Sequence, residues 1–346
     1  MRGTYGLALA GLVALVGFGR GIRFAIKGPP LGKASTILFV CSLLGNLFVA
    51  GVGALLAMLS TLQFQRGRQL RRFGRVLLAR IEEGPTWASV TSTASVEGMA
   101  RAIEDERARA GLAAQWRENG RTEHASVAAF ARLTLDLMAL GAPPSLIAAS
   151  NRDALDEVRH TELCFSLARA LDGRAEGPGP FPEAQRARTL VGIRGMALIQ
   201  LAVDSLIDGA LHEGVSARII AKLAKRCEVP EIRAILKEIA ADEGRHAAHG
   251  WDVVEWCVAQ GGTPVLNALR AALTSLPATM ESPLPEAAVR GAWERYGIHG
   301  HALEQHEYTK ARAEILRRLQ AISPLAQDRG AAVSKASLVR RIVGAA

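Results

Sequence analysis

Two five-residue segments, Asp156-Glu157-Val158-Arg159-His160 and Asp242-Glu243-Gly244-Arg245-His246, share the pattern D-E-x-R-H and lie 86 residues apart. Within each, Glu and His are three positions apart. On a helix that spacing sends a carboxylate and an imidazole from the same face, where they can hold one metal ion together. Two more acids stand upstream at hairpin distance: Glu123 is 34 residues before Glu157, and Glu213 is 30 before Glu243. A chain that climbs a helix, turns and returns to the same height at about 1.5 Å per residue uses about this many residues. Both acids sit among small and apolar neighbours, Ala125, Val127 and Phe130 near the first, Ala210, Leu211 and Val215 near the second.

A single ExxH on a helix is usually a solvated, salt-bridging face. Two five-residue matches, each preceded by a Glu in an apolar stretch, rarely arise that way, and burying four carboxylates without a cation would be very costly. The pattern therefore predicts a site for two cations held by Glu123, Glu157, His160, Glu213, Glu243 and His246. Zinc is disfavoured because carboxylates dominate and neither HExxH nor a Cys/His cluster is present. Other candidates are weaker. Cys164 would line the pocket as a buried cysteine. His249 follows His246 by one turn and points partly away from it. His212 falls on a different face from Glu213. His299, His301 and His306 read as a polar helix face rather than a second metal site. Gly17–Gly21 has no strand–helix context for a nucleotide loop, and no Ser-His-Asp or P-loop pattern occurs.

The elements that must position these residues read as helices. Ala, Leu and Arg are abundant and aromatics make up 5% of the chain, which favours helix over strand. Helices are expected over about 99–141, with a break near Asn119-Gly120, then from after Pro143-Pro144, with Ser145 as N-cap, to Leu171, and over 188–227 and 230–261. Two more are expected over 264–275 and 285–321. The link over 173–187 is long enough to cross a bundle, whereas the other two links suit antiparallel hairpins; hairpin, crossover, hairpin defines an all-α four-helix bundle. Four cysteines, none in CxxC spacing, exclude a rubredoxin-type or ribbon site and give no disulfide framework.

Residues 1–81 contain eleven Lys or Arg and no acid, leaving 31 of the 42 basic residues against all 33 acidic ones. The basic balance thus belongs to the N-terminal segment and implies no nucleic acid partner. Gly3–Gly19 and Ala34–Gln65 are uncharged and apolar, which predicts a membrane hairpin with lipid contacts through residues 1–80. The arginines from Arg66 to Arg80 would meet headgroups and place the globular part in the cytoplasm. The expected organisation is a membrane anchor over 1–83, a Gly/Ser/Thr-rich linker over 84–98, a metal-binding bundle over 99–262, and accessory helices over 263–346.

The paired motifs resemble those of the ferritin-like di-iron carboxylate superfamily, and the D-E-x-R-H pattern is similar to its bacterial multicomponent (methane/toluene-type) monooxygenase branch. The resemblance covers about 145 residues, in a chain much smaller than the catalytic subunits of that branch. It implies two iron ions, or two manganese or a mixed manganese–iron pair. Glu123, Glu157 and His160 would hold one ion and Glu213, Glu243 and His246 the other, with Glu157 and Glu243 bridging. Asp156 and Asp242 would each take a hydrogen bond from the metal-bound His of the opposite half, and Arg159 and Arg245 would pair with these acids. The implied activity is that of a dioxygen-activating oxidase or oxygenase on an organic substrate, with an electron donor not identified. The alternatives are iron oxidation or peroxide detoxification, as in ferroxidases, erythrin-type proteins or manganese catalases, and a bundle whose metal is only structural.

Overall fold

The computed structural model describes residues 68–72, 75–84, 86–88, 98, 100, 103, 105–182 and 194–343, with backbone alone for 71, 72, 75 and 323–343. The described body is almost entirely helical. Helix α1 (Glu106–Leu140) is capped by the Asp105 carboxylate, which accepts from the N–H groups of Arg107 and Ala108. It runs unbroken through Asn119-Gly120, where a break was expected. Gly120 is there for packing: a Cβ on it would sit 2.7 Å from the Phe165 ring of the next helix, so glycine lets α1 and α2 approach closely. A three-residue turn leads to α2 (Pro144–Asp172), and the two form a tight hairpin.

The second hairpin begins with α3 (Arg194–Asp204), which passes without a break into a π-helical stretch, Ser205–Glu213, and on into α4 (Gly214–Arg226). After three residues the chain turns into α5 (Pro230–Gly261), with Pro230 in its first turn as expected. The hairpins face each other through α2 and α5, and through α1 and α3. Between them the buried faces meet in a core of Leu133, Leu137, Leu163, Leu206, Leu211, Ile219 and Val254. Gly250 of α5 lies against the π stretch; a Cβ there would meet the Ala210 nitrogen at 2.7 Å and Gly209 backbone at 2.8 Å, so only glycine permits this spacing.

Beyond α5 come α6 (Thr263–Thr274), a four-residue α7 (Glu286–Val289), a 3-10 turn (Glu294–Tyr296) and α8 (His301–Val343). The single helix expected over 285–321 is thus interrupted between Val289 and His301. The cause is local: Gly291 and Gly297 adopt φ of 80° and 84°, outside the right-handed helical region.

The helical body also takes in residues expected to belong to the anchor and linker. Strand β3 (Ile81–Glu83) pairs antiparallel with β4 (Glu176–Pro178) in the α2–α3 connection, and Trp87 packs on Gly177. A smaller ribbon joins β1 (Arg71–Arg72) to β2 (Arg75–Val76). Among the described residues, no helix is long and apolar enough to cross a membrane. The apolar runs over 3–19 and 34–65, and with them the expected hairpin, lie outside the described residues.

Candidate metal centre

Glu123 comes from α1, Glu157 and His160 from α2, Glu213 from the last position of the π stretch, and Glu243 and His246 from α5. The structure brings all six together. Their ligand atoms fall into two groups, Glu123–Glu157–His160–Glu243 and Glu157–Glu213–Glu243–His246, each spanning less than 4.8 Å. Glu157 and Glu243 belong to both groups. The π stretch matters to this convergence. One extra residue in a helical turn rotates everything after it by about 100° relative to a continuous α-helix, so it sets the direction in which Glu213 leaves the rod.

The imidazoles are oriented from behind. His160 Nε2–H donates to Asp242 Oδ2 at 3.1 Å, and His246 Nε2–H donates to Asp156 Oδ2 at 3.1 Å. Each His is therefore held by an Asp of the facing helix. This fixes the proton on Nε2 and turns Nδ1 inward. His160 Nδ1 lies 3.5 Å from Glu157 Oε2 and 3.7 Å from Glu243 Oε1, and His246 Nδ1 lies 3.2 Å from Glu157 Oε1. Phe130 packs edge-on against the His246 ring, with centroids 5.1 Å apart.

Arg245 reaches both acids, 2.6 Å from Asp242 and 3.1 Å from Asp156. Arg159, expected to play the same part, does not. It pairs with Glu238 of α5 at 3.3 Å and, more loosely, with Glu162 at 3.9 Å. The two halves differ at the positions that decide this. The counterpart of Glu162 next to Arg245 is Ala248, and the counterpart of Glu238 on α2 is Arg152. Arg159 is drawn away by acids that Arg245 does not have.

The charge balance of these groups is lopsided. Burial, then the Glu157 carboxylate, push Glu123 up to about 8. Burial and the Glu213 carboxylate hold Glu243 well above its usual range, and burial also raises Glu213. Glu157 goes the other way: burial works against its charge, yet His160 and His246 hold it down at about 2. Burial opposes charge on the imidazoles as well, but Asp242 and Glu157 lift His160 to about 10, and Asp156 and Glu157 lift His246 to about 11. In a metal-free centre, protons would thus sit where cations could.

The side chains fit a pair of metal ions on one further observation. Both oxygens of Glu157, one oxygen each of Glu213 and Glu243, and the Nδ1 atoms of His160 and His246 are buried without a hydrogen-bond partner. Buried polar atoms are rarely left so. All six point at the same small volume, and hard oxygen donors with two imidazoles suit divalent iron or manganese.

Several contacts around the centre had no signal in the sequence. The Arg68 backbone N–H donates to Glu213 Oε1 at 2.7 Å, and its guanidinium lies 5.5 Å from the Phe130 ring centroid. Arg68 is 5% exposed, so this arginine does not face lipid headgroups as expected of its run. His249 Nδ1–H donates to Asp153 at 2.6 Å, both buried, which takes His249 out of the ligand set. Asp153, Asp156 and His246 form a third acidic group on the Nε2 side of His246. It has a single nitrogen, already hydrogen-bonded, and serves to hold that ring. His212 is buried, with Nδ1 3.4 Å from Asp208, and stays outside both ligand groups.

A cavity adjoins the centre at Glu123, which is only half-buried for this reason. Its wall includes Cys164 of α2, Ile220 of α4, Ile239 of α5, and Leu284 and His299 of the C-terminal segment. Cys164 thus lies where expected. The three C-terminal histidines separate: His299 lines the cavity, His301 Nε2–H donates to the Ser282 carbonyl at 2.8 Å, and His306 is exposed. They form neither the polar helix face expected of them nor, among the described residues, a metal-binding group. No family model, curated protein or solved structure matches this chain.

Proposed function

We propose that the two hairpins form a ferritin-like bundle around a di-iron centre that activates dioxygen for oxidation of an organic substrate. One observation carries the reading: two carboxylates, Glu157 and Glu243, are common to two adjacent ligand groups, each completed by one inward-facing imidazole nitrogen and one further carboxylate. Shared carboxylates are what hold two cations side by side at the spacing, about 3.5–4 Å, that dinuclear chemistry uses. When bound, two ferrous ions would supply the electrons that reduce dioxygen.

The chain's own residues do the rest. Asp242 and Asp156 keep His160 and His246 in one tautomer and strengthen them as donors. Glu123 and Glu213 complete the two groups from opposite hairpins, and Arg68 holds one oxygen of Glu213 in place. The apolar walls around Phe130 and Ile239 keep bulk water from the centre.

The cavity at Glu123 favours an organic substrate over iron oxidation or peroxide removal alone, since neither of those needs a pocket walled in part by apolar side chains. Metal analysis with Mössbauer and EPR spectroscopy of protein grown on iron tests the centre. The expected result is two coupled iron ions per chain. A mononuclear signal, or zinc in their place, would overturn it. Oxygen uptake that rises on adding an organic substrate separates an oxygenase from a ferroxidase, whose uptake follows added ferrous iron alone, and from a catalase, which evolves oxygen from peroxide.

A further inference from the structure

One end of the two hairpins is almost without charge. The α1–α2 turn, the start of α3 and the α5–α6 turn meet there: the Arg194 guanidinium at the head of α3 donates to the Leu140 carbonyl at the end of α1 and to Gln260 near the end of α5. Residues 133–151 carry one charged side chain, Asp136, which is buried and lies 3.6 Å from Arg132. Residues 195–203 and 256–269 carry none. At the opposite end the α4–α5 turn alone, over residues 222–233, carries six. Surfaces that face water ordinarily have charges of both signs interspersed, so the deficit at one end sets that end apart.

The same end exposes large apolar side chains. Leu135 is 42% exposed, Met138 58% and Met196 66%. Leu135 and Met138 are one turn apart near the end of α1, and Met196 is in the first turn of α3. Apolar side chains scattered singly among charges are ordinary, but a group of them on a surface without charge marks a face that meets something other than water. The border of this face is basic. The three segments are flanked by Arg132, Arg152, Arg194 and Arg270, against the acids Asp204 and Glu255. An apolar patch rimmed by arginines suits a bilayer with anionic headgroups: the apolar side chains enter the acyl boundary and the guanidinium groups meet phosphates.

The course of the chain favours a bilayer over a second protein copy. At Arg68 the chain lies beside Phe130 of α1, and by Ala79, whose carbonyl accepts from Arg121 at 2.8 Å, it has moved nine residues back along that helix. It therefore runs along α1 away from the charge-free end. The uncharged run over 34–65 ends three residues before Arg68. A bilayer that takes up this run would lie on the charge-free side of the bundle.

We propose that this end of the bundle rests on the surface of an anionic lipid bilayer, with Leu135, Met138 and Met196 as its apolar contacts. The surface is on the helical body itself, separate from the expected anchor, and no part of its test depends on metal or turnover.

The test uses the full chain with Cys41→Ser, the remaining cysteines being buried. Bimane is attached at Met138→Cys, at Met196→Cys and, as a control at the charged end, at Lys225→Cys. Each labelled protein is mixed with phosphatidylcholine–phosphatidylglycerol vesicles, and quenching by doxyl-labelled lipid is compared with quenching by iodide in the water. Doxyl lipid is expected to quench the labels at 138 and 196 at least twofold more than the label at 225, with iodide showing the reverse order. Leu135→Glu, a change at an exposed position, should lower doxyl quenching of the 196 label at least twofold while helix content stays unchanged. Equal quenching at all three sites overturns the proposal, as does a full chain that does not bind the vesicles. Labels at 138 and 196 that neither quencher reaches would also overturn it, and would assign the face to a second copy of the chain.

Discussion

Asp242 on α5 accepts the Nε2–H of His160 on α2 at 3.1 Å, and the same relation runs the opposite way between Asp156 and His246. Each half of the chain therefore orients the imidazole of the other. Replacing Asp242 or Asp156 by Ala should lower metal affinity about 10–100-fold, because an unsupported ring loses both its tautomer and its direction. Competition with a chelator of known affinity measures this. Arg245→Ala should show a smaller loss, and Arg159→Ala none, since Arg159 pairs with Glu238 instead.

The shared carboxylates and the terminal ones should behave differently on removal. Glu157 belongs to both ligand groups and Glu123 to one. Glu157→Ala is expected to drop bound metal from about two ions to well below one, whereas Glu123→Ala should leave about one. Elemental analysis of purified variants reads the ratio directly, and equal losses from both variants would contradict the assignment.

Loading should release protons. At pH 7 the metal-free centre keeps protons on His160 and His246, lifted to about 10 and 11, and on Glu123, lifted to about 8, while Glu157 at about 2 has none. Two cations must displace them, together with the proton on the strongly raised Glu243, so about three to four protons should leave per centre. Protons compete with metal, so apparent affinity falls as pH drops from 8 to 6. Titrations in two buffers of different ionisation enthalpy give the count, and release of fewer than one proton would show that the charges are arranged otherwise.

Asp204, ahead of the π stretch, gives a stability test away from the ligands. Burial, then the neighbouring Asp208, raise it to about 6. A carboxyl whose folded pKa is raised favours the native state only while protonated. Its contribution is full below about pH 4 and is lost as pH rises through 6. Asp204→Asn, which can still accept from Gln200, should therefore stabilise the protein by about 1–2 kcal/mol at pH 8 and hardly at all at pH 4. Thermal melts at the two pH values provide the comparison.

Gly250→Ala tests how strictly the packing sets the centre. The added methyl would meet the backbone of Gly209 and Ala210, which cannot rotate away as a side chain could. The expected cost is about 1–3 kcal/mol of stability. Because Gly250 is one turn beyond His246, and Gly209 one turn before Glu213, metal content should fall as well. A loss of stability with full metal content would separate the fold from the site.

The parts of this architecture that depend on local pattern were legible from residues alone. Glu157 and His160, or Glu243 and His246, are three apart on one helix, and the proline at 230 marks where a helix starts, whereas the second helix takes in Pro144 and is capped by Pro143 rather than Ser145. Spacing along hairpins was enough to single out Glu123 and Glu213. What escaped notice depends on partners far away in the chain. Arg68 and Glu213 are 145 residues apart, Asp153 and His249 are 96 apart, and Ser282 meets Glu304 only because the chain breaks helix between them. The two motifs look identical, yet Arg159 and Arg245 part ways on the identity of four positions outside the motif. The π stretch left no mark either, since its residues, SLIDGALHE, read as an ordinary amphipathic helix.

The hydrogen bond from the Arg68 main chain to Glu213 has a practical consequence for anyone trimming this protein. Starting a soluble version at the Gly/Ser/Thr-rich stretch would look natural, because residues 1–81 before it carry no acid and are rich in basic and apolar residues. Such a version would lack Arg68, leaving one ligand oxygen short of its donor and one flank of Phe130 bare. Poor iron retention by a shortened chain would then report a missing wall rather than a wrong cofactor.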